Sequence, residues 1–435
     1  MWPIEARLKV AFICGFAWEP KGTARARAFP LAAELVKRGH EVTVFLTPYD
    51  NLAYSGKEWV AEGVRIRNLA VPSTSKLSLA GVARRLCQSV REYAPDMVHV
   101  FKPKGLAGIA AMLLRHSCRV ILDCDDWEGW GGWNEATNYS WIVKEYIDLQ
   151  EKWLVRRSLV ITAASQVLMD RAQDLRKGSS TVFYVPNCLT SERVRLDSEA
   201  TRTSPADEKR ALGFPANPLI FYAGHFDPAD DMGFFCRAVS PVLTRGAAAL
   251  ALVGEGPELE ATKRFFSRLS GSVKFLGRLS FAQYARVLNA SDVATFPFPD
   301  NAVYRAKCSV RILDYMSFGK AILTTALGQN PEYLVNGECG LLTPPGEERA
   351  YQRALDLLLG SAELRTRLGN NARQRVVSNF LWSGSSLRSC LMAYDAALDR
   401  SAFSRRSEVP KSIDLPVSSR DSRAVSPVED KCKSL

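Results

Sequence analysis

Nowhere among the 435 residues do apolar side chains run unbroken for the length that a bilayer core demands, so no membrane-spanning helix is expected. The apolar stretch VAFICGFAW near the start lacks a small-residue cleavage site. EPKGTARAR follows it, as suits a first strand entering a loop rather than a leader peptide. The ten cysteines stand singly, with no C-x-x-C pair and no zinc spacing, and read as reduced, structural thiols of a cytoplasmic protein. Histidine is scarce, with four in the chain. His40 opens a Gly-His-Glu strand entry, His99 falls in an apolar strand and His116 in a helical segment, all places that suit structural roles. Acidic residues fall short of basic ones, 46 against 57, for a net charge of +11. Such a balance calls for an acidic partner, and no nucleic-acid-binding motif is present, so phosphate groups and an anionic membrane surface lead.

What the chain does contain is a pattern stated twice. Short apolar runs, LKVAFIC (8–14), HEVTVFL (40–46), DMVHVF (96–101), RVILD (119–123) and LVITAAS (159–165), alternate with helical segments such as 26–39. PLIFYAG (218–224), AALALVG (248–254), VKFLG (273–277), VATFPF (293–298) and AILTTA (321–326) repeat the scheme. Strands apolar on both faces, separated by helices, predict an α/β protein with two parallel, doubly wound Rossmann-like domains around a central cleft. The expected division is 1–186, a polar linker at 187–215, a second domain at 216–378, a crossover helix at 379–399 and a disordered tail at 400–435. Ligands of such folds gather at the carboxyl ends of the strands.

The segment DNAVYRAKCSVRILDYMSFGK (300–320) carries the clearest chemistry. Ser309 is a plausible N-cap, followed by helical spacing up to Gly319. A helix starting there aims free amides and a positive dipole end at the cleft. Arg305 and Lys307 precede it, Arg311 lies one turn inside and Asp314 falls in the second turn. Cations, amide donors and one carboxylate suit a nucleoside diphosphate; a capped surface helix with solvated basic residues is the plain alternative.

In order and spacing, FYAGHFDP, LVGEGPELE, VKFLGRLS, LNASDVATFPF, LDYMSFGKAILTTALGQNPEYL and NGECGLLTPPG resemble the donor domain of family 4 (group 1) glycosyltransferases, the retaining GT-B enzymes. GTARARAFPLAAELVKRGHEVTV and APDMVHVF are similar to that family's opening. The resemblance implies that Gly22 and Thr23 form the glycine-rich loop nearing the donor phosphates. It also implies that Gly254 and Gly256 line the nucleotide, that Leu276, Gly277 and Arg278 meet the base, and that Asp314 holds the ribose. Three positions depart from the family pattern. The first acid of its acidic pair is Ala306, the usual diphosphate-binding Arg is His225 and the usual Lys is Asp230. Arg305, Lys307 and Arg311 are expected to replace that charge, with Asp300 or Asn301 reaching the sugar. The stretch from Arg305 through Cys308 and Ser309 to Asp314 resembles an R-x-K-C-x-x-R/K-x-x-D variant among family members.

LDCDDWEGWGGWNE (122–135) crowds five carboxylates and three tryptophans into fourteen residues. Its DCD resembles the D-x-D metal motif of the other main glycosyltransferase fold, GT-A. A diphosphate neutralised by cations and a helix end needs no metal, so no cofactor is expected. Within a GT-B frame the segment ends a strand at the cleft, where relatives carry a histidine beside the sugar. Asp125 or Asp126 would fill that place, stabilising positive charge at the anomeric carbon or accepting the acceptor's proton. Function is favoured for Asp126 and Glu128 and anchoring for at least one of Trp127, Trp130 and Trp133, with Asp123 as a turn or cap residue.

The whole reads as a glycosyltransferase that moves a sugar, with retention, from a nucleotide sugar to a hydroxyl of a lipid-linked or cell-envelope glycan. Lys307 is expected to aid the leaving diphosphate. The 76–93 segment predicts a helix with a basic face, ordinarily solvated; a secondary expectation is that this face rests on the cytoplasmic membrane surface. A GT-B epimerase or hydrolase and a non-catalytic sugar-nucleotide-binding protein are the rivals.

Overall fold

The computed structural model describes residues 6–19, 22–269 and 271–399. The expected tail at 400–435, with Cys432, lies outside them; the other nine cysteines are free thiols. An eight-stranded sheet has the order β3-β4-β2-β1-β5-β6-β7-β8. Its strands are β1 Lys9–Cys14, β2 Glu41–Leu46, β3 Glu58–Ala61, β4 Val64–Asn68, β5 Met97–Phe101, β6 Val120–Cys124, β7 Val160–Ala163 and β8 Val182–Tyr184. A six-stranded sheet follows in the order β11-β10-β9-β12-β13-β14. It comprises β9 Leu219–Ala223, β10 Ala249–Val253, β11 Val273–Phe275, β12 Val293–Phe296, β13 Ala321–Thr325 and β14 Leu341–Thr343. All pairings are parallel except β3 with β4.

The ten predicted strands are all present, because parallel strands sandwiched between helices must be apolar on both faces and so announce themselves as continuous apolar runs. The β3–β4 hairpin went unpredicted for the converse reason. Val64, Ile66 and Asn68 point inward and alternate with wetter Arg65 and Arg67, leaving no such run. Its turn, Glu62-Gly63, has φ of +46° and +77° at the two positions, as a tight hairpin requires.

Strand order reverses at β1 in the first sheet and at β9 in the second, and the loops leaving their carboxyl ends border the cleft. The predicted linker holds two short helices, Ser191–Ala200 and Pro205–Ala211. The chain crosses back beside it, with the Leu189 amide bonding the Phe380 carbonyl and the Trp382 amide the Leu189 carbonyl, each at 2.9 Å. This pairing shortens the predicted crossover helix. Leu381 bridges to Leu189, residues 382–384 turn, and the helix runs only over Ser385–Leu398, packing on the first sheet. Tyr394 on that helix meets His99 Nδ1 at 3.0 Å, and Thr162 meets Nε2 at 3.0 Å, which fixes His99 in a structural role. Among the described residues no helix is long and apolar enough to cross a membrane.

Candidate active site

At the end of β6, Asp123 is fully buried within the strand, not in a turn or at a cap as its sequence context suggested. Arg27 explains this. The chain enters the first helix, Phe29–Lys37, through a π-helical turn, Ala24–Ala28, and Arg27 on that turn points inward. Its Nε and Nη2 each donate to an Asp123 carboxylate oxygen at 2.7 Å, and Thr162 Oγ1 adds a third hydrogen bond at 2.6 Å. Arg27 Nη1 reaches Asn187 Oδ1 at 3.0 Å, tying the strand end to the start of the linker. Burial alone would lower the guanidinium pKa, but Asp123 outweighs it and the net shift is upward. Both oxygens of the first acid of the DCD motif are thus taken up by Arg27 and Thr162.

The next acids leave the strand and meet Lys102, just beyond the end of β5. Lys102 Nζ lies 3.6 Å from Asp125, in a short contact with Asp126 and 3.1 Å from Glu128. Lys104 holds the other oxygen of Glu128. Burial lifts the Asp125 carboxyl to about 7, Lys102 opposes it, and Asp126 and Asp123 reinforce it. Thr23 Oγ1 donates to Asp125 Oδ2 at 3.1 Å, so the predicted phosphate-loop threonine and the predicted sugar-side acid do meet. Gly22 beside it has open space where a side chain would stand. Glu128 is different. Burial pushes it up, but Lys102 and Lys104 prevail and hold it down at about 2. At 1% exposure with both oxygens occupied, Glu128 is a fixed counter-ion rather than the reactive group expected from the sequence.

Asp125, Asp126 and Glu128 place their oxygens within 4.8 Å of one another, a donor set suited to a hard cation. The Lys102 ammonium already supplies the positive charge among them. Lys102 sits at φ +65°, a left-handed conformation that costs a non-glycine residue on the order of 1–3 kcal/mol.

The tryptophan loop is mainly anchored. Glu151 accepts from the Glu128 and Gly129 amides, both at 3.1 Å, and Asp148 from the Trp130 amide at 3.0 Å. Trp130 Nε1 donates to Glu145 at 2.7 Å, and Arg171 lies 4.7 Å over the Trp127 ring. A Cβ on Gly132 would fall 2.1 Å from the Trp127 carbonyl oxygen, which explains a glycine there. Trp133 alone of the three lies near the opposite domain, its ring 5.8 Å from Lys307 Nζ.

Across the cleft, Lys307 lies 4.3 Å over the Tyr304 ring, and Arg311 lies 4.5 Å over Phe296. Burial pulls Lys307 down to about 8, and neighbouring Arg311 lowers it further; Asp230, Asp126 and Asp227 oppose them. Asp126 belongs to the first domain, so the two halves of the site already act on one another electrostatically. Ser309 occupies the N-cap of the Val310–Ser317 helix by backbone position, without a side-chain cap bond, and Gly319 at φ +63° ends the turn.

Several predicted binders are placed elsewhere. Arg305, in the last turn of the Ala302–Ala306 helix, pairs with exposed Asp300 at 2.6 Å on the surface, which leaves Lys307 and Arg311 as the inward cations near the start of the next helix; Lys320 at its far end is buried on the Asn289 and Ser291 carbonyls. Asn301 caps that helix and bonds the Ala229 carbonyl at 3.1 Å, so neither Asp300 nor Asn301 is presented to a sugar. The Cys308 thiol is buried between the Asn187 amide at 3.2 Å and the Tyr333 hydroxyl at 2.9 Å. It stitches the loop to the linker, while Ser165 of the first domain donates to the Ala306 carbonyl at 2.7 Å and ties the same loop across the cleft. Asp314, raised to about 6 by burial against the pull of Arg193, contacts Arg193 Nη2 at 2.9 Å, so a ribose would have to share it. His225 is exposed, while Asp230 is buried and accepts from the Tyr304 hydroxyl and the Asp227 amide. Gly254 and Gly256 have φ of +128° and +156°. A Cβ on either would overlap the Gly224 or His225 carbonyl oxygen, at 1.8 and 1.6 Å. Gly254 also bonds Gly277, whose neighbours are half-buried Leu276 and exposed Arg278. Lys102, Lys104 and Arg27 were missed from sequence, although FKPKG follows an apolar strand as directly as the acids do.

Residues 217–361 match the family described as Glycosyl transferases group 1, and residues 22–188 match the Glycosyl transferase 4-like domain. N-acetyl-alpha-D-glucosaminyl L-malate synthase of Bacillus anthracis is 24% identical over 229 residues, which span 52% of this chain and 57% of that protein. Phosphatidyl-myo-inositol mannosyltransferase of Mycolicibacterium smegmatis is 21% identical over 390 residues, or 86% of this chain and 91% of that one. The structure of Anabaena HepE in complex with UDP and glucose superposes with a TM-score of 0.65 at 16% identity, covering 86% of this chain and 96% of that one. Two facing Rossmann-like sheets with these matches make the architecture GT-B, and the chain belongs to the group 1 glycosyltransferases of family 4.

Proposed function

We propose that the protein transfers a sugar from a nucleoside diphosphate sugar to an acceptor hydroxyl, with retention at the anomeric carbon. The observation that carries this reading is that buried Lys307, beside Arg311, lies near enough to Asp126 of the first domain for that acid to oppose the fall in its pKa. Lys307, Arg311 and the free amides opening the Val310–Ser317 helix neutralise the diphosphate. As the anomeric C–O bond breaks, its electron pair goes to the departing phosphate, where Lys307 stabilises it. The Asp126 carboxylate stabilises the positive carbon. The acceptor oxygen attacks from the leaving-group face, and its proton passes to Asp125, which is poised near neutrality. Gly254, Gly256, Leu276, Gly277 and Arg278 border the nucleotide end, and closure about residues 187–215 and the 385–398 helix excludes water. The reaction needs no metal, because lysine and arginine supply the required charge.

The acceptor is a lipid-linked or cell-envelope glycan. The M. smegmatis relative is, by its name, an enzyme acting on a phosphatidylinositol lipid. A thermal-shift screen of UDP, GDP, ADP and their sugars tests donor binding and base choice together. Nucleotide release that depends on an added hydroxyl acceptor supports transfer, and release at the same rate without acceptor contradicts it.

A further inference from the structure

The Trp141–Arg157 helix buries polar residues and leaves a set of large apolar ones exposed. Its polar residues Asp148, Gln150 and Glu151 are buried at 4%, 3% and 1%, two of them bonding the tryptophan loop. Ile147, Leu154 and Val155 are buried beside them, yet a second set of large apolar residues faces solvent, with Trp141 69%, Ile142 73% and Leu149 64% exposed. Tyr146 adds to the face, as does Leu113 on the neighbouring Gly105–Leu114 helix. The inward acids are spoken for by the loop and core, and Glu145 is turned to Trp130. The cations remain outside. Arg156 and Arg157 are exposed in the last turn, and Arg91 of the adjacent Lys76–Tyr93 helix bonds the Leu113 carbonyl at 3.3 Å at the patch edge.

We infer that this face docks the protein on an anionic phospholipid bilayer, inserting Trp141, Ile142 and Leu149 among the headgroups while the flanking arginines meet lipid phosphates. An apolar surface rimmed by cations matches such a membrane in both hydrophobicity and charge. The basic face of residues 76–93 gave only a charge argument from sequence; the structure adds the apolar insertion and moves its centre to the 141–157 helix. Because that helix fastens the loop carrying Asp126 and Trp133, the bilayer would lie beside the acceptor side of the cleft. The inference deepens the proposed transferase reading and rests on it only for the use of a lipid surface.

The test is co-sedimentation of the full chain with vesicles of phosphatidylcholine alone and of phosphatidylcholine with phosphatidylglycerol, in parallel with W141S/I142S/L149S. All three positions are exposed, so the variant should keep its fold and its nucleotide thermal shift. Recovery with anionic vesicles at least tenfold above neutral ones, abolished in the variant, is the expected result. Equal recovery from both vesicle types, or unchanged recovery of the variant, overturns the inference. So does a dimer in light scattering that the variant converts to monomer without vesicle binding, since the face would then be covered by a second copy. Nucleotide binding without vesicle binding would sink this inference alone; vesicle binding without nucleotide binding would sink the transferase reading alone.

Discussion

Arg27 grips Asp123 through two parallel 2.7 Å hydrogen bonds in a place where neither side chain is more than 2% exposed. This clamp fixes the end of β6, and with it the direction in which Asp125 and Asp126 leave the sheet. A buried pair of this kind is weak evidence for net stability, yet removing one partner strands a charge. Arg27→Met should therefore destabilise the protein by about 3–5 kcal/mol in urea unfolding. The double variant Arg27→Met/Asp123→Leu should recover much of that loss. A single variant as stable as the parent would show that the clamp does not matter.

Asp125 sets a pH dependence whose sign can be worked out. Its carboxyl is raised from an ordinary 3.8 to about 7, chiefly by burial, so the folded chain holds the proton more tightly than the unfolded one. The resulting stabilisation is complete below about pH 4, declines as pH rises and is lost above about pH 7. Across that window the parent should lose stability relative to Asp125→Asn by an amount on the order of a few kcal/mol. Melting curves at stepped pH would reveal it; parallel curves for the two proteins would rule it out.

Lys102 makes a prediction about metals. With its ammonium among Asp125, Asp126 and Glu128, turnover by the native protein should be the same with and without a chelator. Lys102→Met would leave three carboxylates facing one another, and its melting temperature should rise on adding millimolar Ca²⁺ while that of the parent does not. Loss of turnover on chelation would contradict the proposed charge arrangement.

How much of this was legible in the sequence depends on what each residue advertises. Ten of the parallel strands were visible because burial on both faces demands apolar runs, whereas β3 and β4, wet on one side, hid in alternation and the three-residue edge strands β8 and β14 were too short to show one. The resemblance gave Thr23 and Asp125 separate roles at the strand ends, and their hydrogen bond to one another emerges only in the fold. Charge identity was less informative than charge direction. Arg305 and Lys307 are two residues apart, but one turns out to Asp300 while the other turns in over Tyr304. Glu128 and Asp126 read alike in the sequence until Lys102 and Lys104 are seen to close around the former. The Glu128 outcome depends on lysines 26 and 24 residues away, and the Arg305 and Lys307 outcomes on which way a short turn faces.

The role assigned to Lys307 is the claim on which the mechanism turns. Isothermal titration of UDP, GDP and ADP into the parent and Lys307→Ala at pH 7, with the matching uncharged nucleosides as controls, addresses it most directly. At least one diphosphate should bind the parent saturably and the variant about ten- to a hundredfold more weakly, the range of one charge-assisted hydrogen bond, with the nucleoside unaffected. No diphosphate binding at millimolar concentration, or equal affinity for the two proteins, would contradict the account.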